Sequence, residues 1–205
     1  MLKELNVEVL LRSGLQKMGV TLCDVTQQKL LEYVALLAKW SKVYNLTTVR
    51  DPGQIVALHV LDSLSVLPYL NEVGSVLDVG TGAGLPGIPL AIACPNISFR
   101  LVDSQQKKIS FIQHVITSLG LTNVAATQQR VEVLRANSTV DHGFDVIVSR
   151  AFASLQEFVK LINNVCNTQT KIIAMKGRRE LVLQEVGLLP PDYQLINIET
   201  VTVPG

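Results

Sequence analysis

Two aspartates, Asp78 and Asp103, each close a run of aliphatic residues, and glycines follow the first at positions 80, 82, 84 and 87. A carboxylate at the end of such a run can hold a cation or the hydroxyls of a sugar. Glycines let a backbone turn sharply and let a ligand approach closely. The stretch VLDVGTGAGLPGIPL supports two registers. Gly82-Ala-Gly84-Leu-Pro-Gly87 matches the dinucleotide fingerprint. Asp78-Val-Gly80-Thr-Gly82-Ala-Gly84 matches a loop that holds S-adenosylmethionine (SAM). The glycines alone do not choose. Asp78 leans toward SAM, because a carboxylate beneath the loop would repel a pyrophosphate but suits an ammonium or a sulfonium. Pro86 and Pro89 lean the same way, since they remove amide donors that a phosphate would use. Asp103, in RLVDSQQKK, can take the hydroxyls of an adenosine ribose, which both cofactors carry.

Further along lie QQRVEVL, whose Glu132 could meet an adenine edge or be a solvated loop charge, and two runs rich in cations. DVIVSRAFASL and IIAMKGRREL together offer Ser149, Arg150, Lys176, Arg178 and Arg179. Such a local patch suits a phosphate-bearing substrate, and its alternative is ordinary surface charge at element ends. The whole chain hides it: net charge is +1, with seven bases and seven acids in residues 1–72 and eleven and ten in residues 73–205. What is missing also counts. No Asn/Asp-Pro-Pro-aromatic turn follows DVIVS, and no cysteine nucleophile stands at either run. A ring nitrogen with a free lone pair, such as guanine N7, needs neither device and no general base. Arg150 and Lys176 would then position the substrate for in-line transfer.

The elements that must position these residues fall into two textures. Residues 1–72 read as helices: 2–18, a second that Thr26 caps with residues 30, 34, 37, 41 and 44 on one face, and a third from Asp51-Pro52 to residue 67. Residues 73–205 alternate strands (75–79, 98–102, 123–127, 144–148, 170–175, 194–203) with helices (84–93, 105–119, 155–164, 180–186). That order predicts an α/β fold, a mostly parallel sheet covered on both faces, with ligands at the carboxyl ends of its strands. Cys23, Cys94 and Cys166 are scattered and lack metal spacing, which points to free thiols in a reducing cytoplasm. No apolar run reaches the roughly 18 residues of a membrane span. The N-terminus, with Glu4 and Glu8, does not read as a secretory signal.

The motifs YNLT, HVLDSL, DVGTGAGLPGIPL, DS (103–104), RVE (130–132), SRAFASL and MKG (175–177) occur in this order. Together they resemble the bacterial small-subunit ribosomal RNA methyltransferase G family, also called glucose-inhibited division protein B, from about Trp40 onward. The resemblance implies a class I SAM-dependent methyltransferase fold, Rossmann-like, with an N-terminal helical cap. It implies methylation of guanine N7 in the decoding-region loop of 16S rRNA, on the small ribosomal subunit or its precursor, by a cytoplasmic monomer. It sets SAM against the positions that are here Gly80, Leu85, Asp103, Ser104, Gln105, Val131, Glu132 and Arg150, beside Asp78, Gly82 and Gly84 of the loop. It suggests that Asn45, His59 and Asp62 lie where the cap meets the pocket, with Asn45 and His59 joining Lys176, Arg178 and Arg179 toward RNA; a core polar role is the alternative for Asn45 and His59. No metal is implied. Family members carry a further antiparallel strand between strands five and six. No such segment follows TVTVPG here, which predicts unpaired edges on 170–175 and 194–203.

Overall fold

The computed structural model describes residues 2–134, 143–150, 152, 154–177 and 179–204. Helices α1 (Leu2–Lys17) and α2 (Asp24–Tyr44) come first. Next comes a continuous helical segment: α3 (Pro52–Ile55), a π-helical stretch (Val56–Leu61) and α4 (Asp62–Leu64). Strand β1 (Ser75–Val79) then leads through α5 (Gly87–Ala93) to β2 (Ser98–Asp103), and through α6 (Gln106–Leu119) to β3 (Val124–Gln128). The chain continues with β4 (Val146–Ser149), α7 (Leu155–Ile162), β5 (Lys171–Ala174) and α8 (Arg179–Val186). The five strands are all parallel in the order β3-β2-β1-β4-β5. The α/β class read from the sequence is therefore observed.

Alternation along each strand sorts side chains between two layers. Val76, Phe99, Leu101, Val146 and Val148 point into a cluster shared with α1, α2, α5 and α6. Leu77, Val79, Val102 and Ile147 point the other way, onto Phe158 and Ile162 of α7. The N-terminal helices thus pack on the same side of the sheet as α5 and α6. In α2 the buried residues Leu30, Tyr33, Val34, Leu37, Ala38 and Ser41 recur at helical spacing. Burying a large aliphatic side chain contributes roughly 1.5–3 kcal/mol, so this stripe is enough to seat the cap.

Three expectations are corrected. Residues 194–203 form no strand: Ile196 is 84% exposed, and the segment makes no ladder with β5. Alternating β-branched residues favour extended backbone, but a strand needs a hydrogen-bonding neighbour to be one. The first residue outside α2 is Cys23 rather than Thr26, whose hydroxyl lies 3.2 Å from the Cys23 sulfur. Asp24 instead brings negative charge to the first turn, where the helix dipole favours it. Tyr44 leaves the buried stripe and is 44% exposed. Asp51 does cap the third helix, its carboxylate accepting from the Gln54 amide at 3.0 Å.

One buried hydrogen bond ties the cap to the glycine loop. Tyr33 is fully buried, and its hydroxyl donates to the Ala83 carbonyl at 2.8 Å. Burial drives the phenol pKa upward, so the group stays a donor throughout the working range. Tyr33→Phe leaves that carbonyl without its partner. It should lower stability by about 1–2 kcal/mol, read as a shift of the urea midpoint with the slope unchanged.

Candidate functional site: a cofactor cleft at the strand ends

The parity of β1 sends Asp78 to the α5 side, with Val76. There the carboxylate is fully buried. Its Oδ2 accepts from the Thr81 hydroxyl at 2.6 Å and from the Gly87 amide at 2.8 Å. Its Oδ1 has no hydrogen-bond partner among the described residues. Burial pushes its pKa up to about 6, against the pull of those two donors and of Arg150. The glycines make the contact possible. A Cβ at position 87 would stand 2.7 Å from the Asp78 oxygen and 2.9 Å from Leu101. At position 84 the backbone has φ +89°, and a Cβ would meet Ile88 at 2.5 Å. That left-handed turn explains why α5 starts at Gly87 rather than at residue 84.

Most of the loop amides are already used. Gly80 and Thr81 donate to the Val102 carbonyl, and Gly84 and Leu85 to the Thr81 carbonyl. Gly82 donates to Asp103 Oδ2 at 3.0 Å, and Gly87 to Asp78. A pyrophosphate needs free amides at a helix N-terminus. This loop spends most of its amides within the fold, one of them on Asp103 at the cleft, and keeps a second carboxylate beneath.

Beside the loop, the carboxyl ends of β1, β2 and β3 open a cleft of about 340 Å³. Gly80, Asp103, Ser104, Gln105, Val131 and Glu132 all line it, so six residues singled out in the sequence meet at one place. Asp103 stands at the mouth of the cleft, 6% exposed, with Oδ1 accepting from the Gln105 amide at 2.9 Å. Glu132 is exposed, in a 3-10 turn (Val131–Val133), while Val131 is buried. Asp78 and Leu85 lie beneath this surface, and Gly82 and Gly84 shape the turn that borders it.

The cleft also holds residues that the sequence reading passed over. Lys108 reaches within 3.5 Å of Asp103, and Phe152 stands 3.5 Å from where a Gly80 Cβ would be. Phe152 is itself stacked on Phe158, with centroids 4.6 Å apart. Lys108 was detectable, being one helical turn beyond Gln105. Phe152 was visible only as part of SRAFASL.

Among the described residues the cations do not gather into one patch. Arg150 follows Val148 by two residues and so turns to the cap side of the sheet. There its guanidinium pairs with Asp62 at 3.2 Å and donates to the Leu58 carbonyl at 3.1 Å, with His59 Nδ1 at 3.3 Å. His59 is buried in the π-helical stretch, its Nε2 2.8 Å from the Thr47 hydroxyl; burial lowers its pKa and keeps the ring neutral. Lys176 has the parity of Ala174 and turns to the α7 side. It pairs with Glu185 of α8 at 3.0 Å and donates to the Phe152 carbonyl at 3.2 Å. Arg179 is exposed and reaches Ile198 and Thr200 of the C-terminal segment. Asn45 ends α2 in the left-handed conformation and accepts from Arg50 at 3.1 Å. Ser149 is buried, donating to the Val79 carbonyl. Arg178 lies outside the described residues.

A parallel sheet of this order, with an acid in its first strand, a glycine turn after it and a second acid ending the next strand, is the frame of a nucleoside-cofactor enzyme. Comparison with known proteins makes this particular. The GidB family model, described as rRNA small subunit methyltransferase G, matches residues 26–204. The ribosomal RNA small subunit methyltransferase G of Burkholderia thailandensis is 46% identical over 97% of this chain and 87% of its own length. That of Nitrosospira multiformis is 41% identical over 98% and 93%. Among solved structures, a SAM-dependent methyltransferase from Aquifex aeolicus is 22% identical, with a TM-score of 0.44, covering 56% of this chain and 62% of that one. The chain belongs to the rRNA small subunit methyltransferase G family, whose members are SAM-dependent enzymes.

The Asp78 carboxyl gives a pH test. Its folded pKa, about 6, lies above its value in an unfolded chain, near 3.8. The folded form therefore holds the proton more tightly. The stabilisation from this proton is complete below about pH 4 and fades as pH rises through 6. Asp78→Asn places an amide nitrogen at the unpartnered Oδ1 position and cannot titrate. Between pH 4 and 7 the wild type should lose roughly 1–3 kcal/mol relative to this variant, measured by urea unfolding at each pH. Parallel curves would show that Asp78 is ionised throughout.

Proposed function

We propose that this enzyme methylates N7 of a guanosine in the decoding-region loop of 16S rRNA, with residues 1–72 as a helical cap on a methyltransferase domain of 73–205. The observation that carries the cofactor side is a loop with most of its amides engaged within the fold, above a buried carboxylate: it suits a cationic donor better than a phosphate. Family membership and the names of the relatives support the rRNA substrate. The cleft is built by one chain, which fits action as a monomer. Among the described residues no helix is long and apolar enough to cross a membrane, and an rRNA substrate fits a cytoplasmic enzyme.

When bound, SAM supplies a methyl group on a positively charged sulfur. Asp103 would hold the ribose hydroxyls, exchanging its bonds to the Gly82 and Gln105 amides for them. Ser104, Gln105 and Glu132 would meet the polar edge of the nucleoside, and Val131 and Phe152 its faces. Gly80, Gly82, Gly84 and Leu85 would shape the floor, and Asp78 would offset the positive charge from below. Guanine N7 carries no proton, so none of these residues has to remove one; the protein's task is alignment and exclusion of water. Arg150, held by Asp62 and His59, would fix the cap against the strand ends and so position both partners. Lys176 would position substrate from the other layer, after giving up part of its pairing with Glu185.

Incubating the purified enzyme with labelled SAM and small subunits, then mapping the modified nucleotide, tests the function; a label absent from guanine N7 in the decoding loop would refute it. Asp103→Ala should weaken SAM binding by about 10- to 100-fold, the loss expected when charged hydrogen bonds of 1.5–3 kcal/mol are removed. Isothermal titration reads this directly. An affinity within twofold of wild type would remove Asp103 from the cofactor site.

A further inference from the structure

We infer that the substrate RNA docks on the surface made by α2 and α6, with an unstacked loop base seated on an aromatic row formed by Tyr44, Trp40 and His114. The inference rests on the reading of the protein as an rRNA methyltransferase and names a surface apart from the strand-end cations.

Charge is the first observation. Residues 33–50 contain Lys39, Lys42 and Arg50 and no carboxylate. Residues 104–131 contain Lys107, Lys108 and Arg130 and again no carboxylate. These segments, bounded by Glu32, Asp51, Asp103 and Glu132, hold six bases and no acid in a chain with 18 bases and 17 acids; Lys108 and Arg130 line the cofactor cleft, and the other four lie outside it. They also meet in space: α2 packs across α6 on the cap side of the sheet. Lys39, Lys42, Arg50 and Lys107 are exposed, and no ion pair engages them among the described residues. Arg150 and Lys176, by contrast, are tied to Asp62 and Glu185.

The aromatic row is the second observation. The Trp40 ring lies between Tyr44 at 5.2 Å and His114 at 5.1 Å, tilted by about 32° and 33°, with Phe111 beneath at 5.5 Å. The two outer rings are exposed, Tyr44 by 44%. A packed row with exposed outer residues, on helices that also carry exposed cations without ion pairs among the described residues, is an arrangement that can hold single-stranded RNA: bases stack on the rings, and phosphates meet the cations. The row also has the right neighbourhood. Gln105 and Lys108, at the start of α6, line the cofactor cleft, and His114 stands two turns further along the same helix. Asn45, singled out for RNA from its motif, follows Tyr44 directly and accepts from Arg50.

The test uses the full-length enzyme. A fluorescein-labelled hairpin carrying an unpaired loop and a fully paired duplex of equal length serve as probes, read by anisotropy at two salt concentrations. Tyr44→Ala and His114→Ala should each weaken hairpin binding about tenfold, as loss of one base–aromatic stack does, leaving duplex binding and SAM affinity unchanged. Tyr44→Phe should bind as wild type, because stacking needs the ring and not the hydroxyl. Lys42→Glu with Lys107→Glu should flatten the salt dependence, whereas Lys160→Ala on α7 should not. His114 belongs to α6, so it carries the test if the α2 variant melts early. Wild-type hairpin binding by both alanine variants, with loss of binding on Lys176→Ala or Arg179→Ala, would overturn the proposal and seat the RNA at the β5 edge. Failure of the wild type to methylate small subunits would instead strike the functional reading, since hairpin anisotropy is scored independently of methyl transfer.

Discussion

The site depends on one buried carboxylate. Asp78 lies in the central strand with no exposed surface, and a single oxygen gathers the Thr81 hydroxyl and the Gly87 amide. Desolvating an acid is costly, and these donors offset only part of that cost. The Asp78 oxygen joins two ends of the glycine turn, so the loop closes over it and α5 starts where the amide of Gly87 meets it. The same closure engages most of the loop amides within the fold. A loop with most of its donors used and an acid at its base is electrostatically unlike a phosphate cradle, although the two share their glycines. Tyr33 holds the loop from the cap through the Ala83 carbonyl. Cap and loop therefore form one mechanical unit, and the identity of the cofactor follows from how that unit satisfies its polar groups.

Strand parity decides what the remaining chemistry can reach. Arg150 and Lys176 both follow strands that end at the same edge of the sheet, and on a linear reading they look like neighbours. A strand turns each successive side chain to the opposite face. Arg150 follows the Val146 and Val148 series and meets Asp62 and His59 of the cap. Lys176 follows Ile172 and Ala174 and meets Glu185 of α8. The two cations brace different layers. Half-buried pairs of this kind hold elements in register more than they add net stability. That matters here because the π-helical stretch carrying His59 has irregular backbone, and Arg150 binds both a carbonyl and a side chain of it.

The sequence disclosed the fold through periodicity: the parallel sheet and its helices follow from alternating short aliphatic runs and amphipathic stretches. It disclosed the cleft because strand ends are local features, and residues just past them converge whatever the details of packing. Gly80, Asp103, Ser104, Gln105, Val131 and Glu132 meet for that reason. Contacts between distant segments were not legible. Nothing near Tyr33 shows that its hydroxyl will find a carbonyl fifty residues on, and nothing near Lys176 names Glu185 as its partner. The C-terminal segment failed for a related reason. Its residues favour extended backbone, but pairing belongs to two strands, and propensity describes one.

Net charge is a poor guide to a nucleic-acid enzyme of this design, and the physical reason is division of labour. On the proposed reading the cofactor side holds a cation, and Asp103 and Glu132 are balanced there by Lys108 and Arg130, with Asp78 buried beneath the loop. Attraction for RNA must then come from another surface, close enough for the substrate to reach the cleft and far enough that screening separates the two fields. At physiological salt that distance is about 8 Å, less than two turns of helix. Helix α6 links the two regions: its start borders the cleft, with Lys107 in the first turn, and His114 lies two turns further along. A summed charge of +1 therefore says little about where cations are exposed.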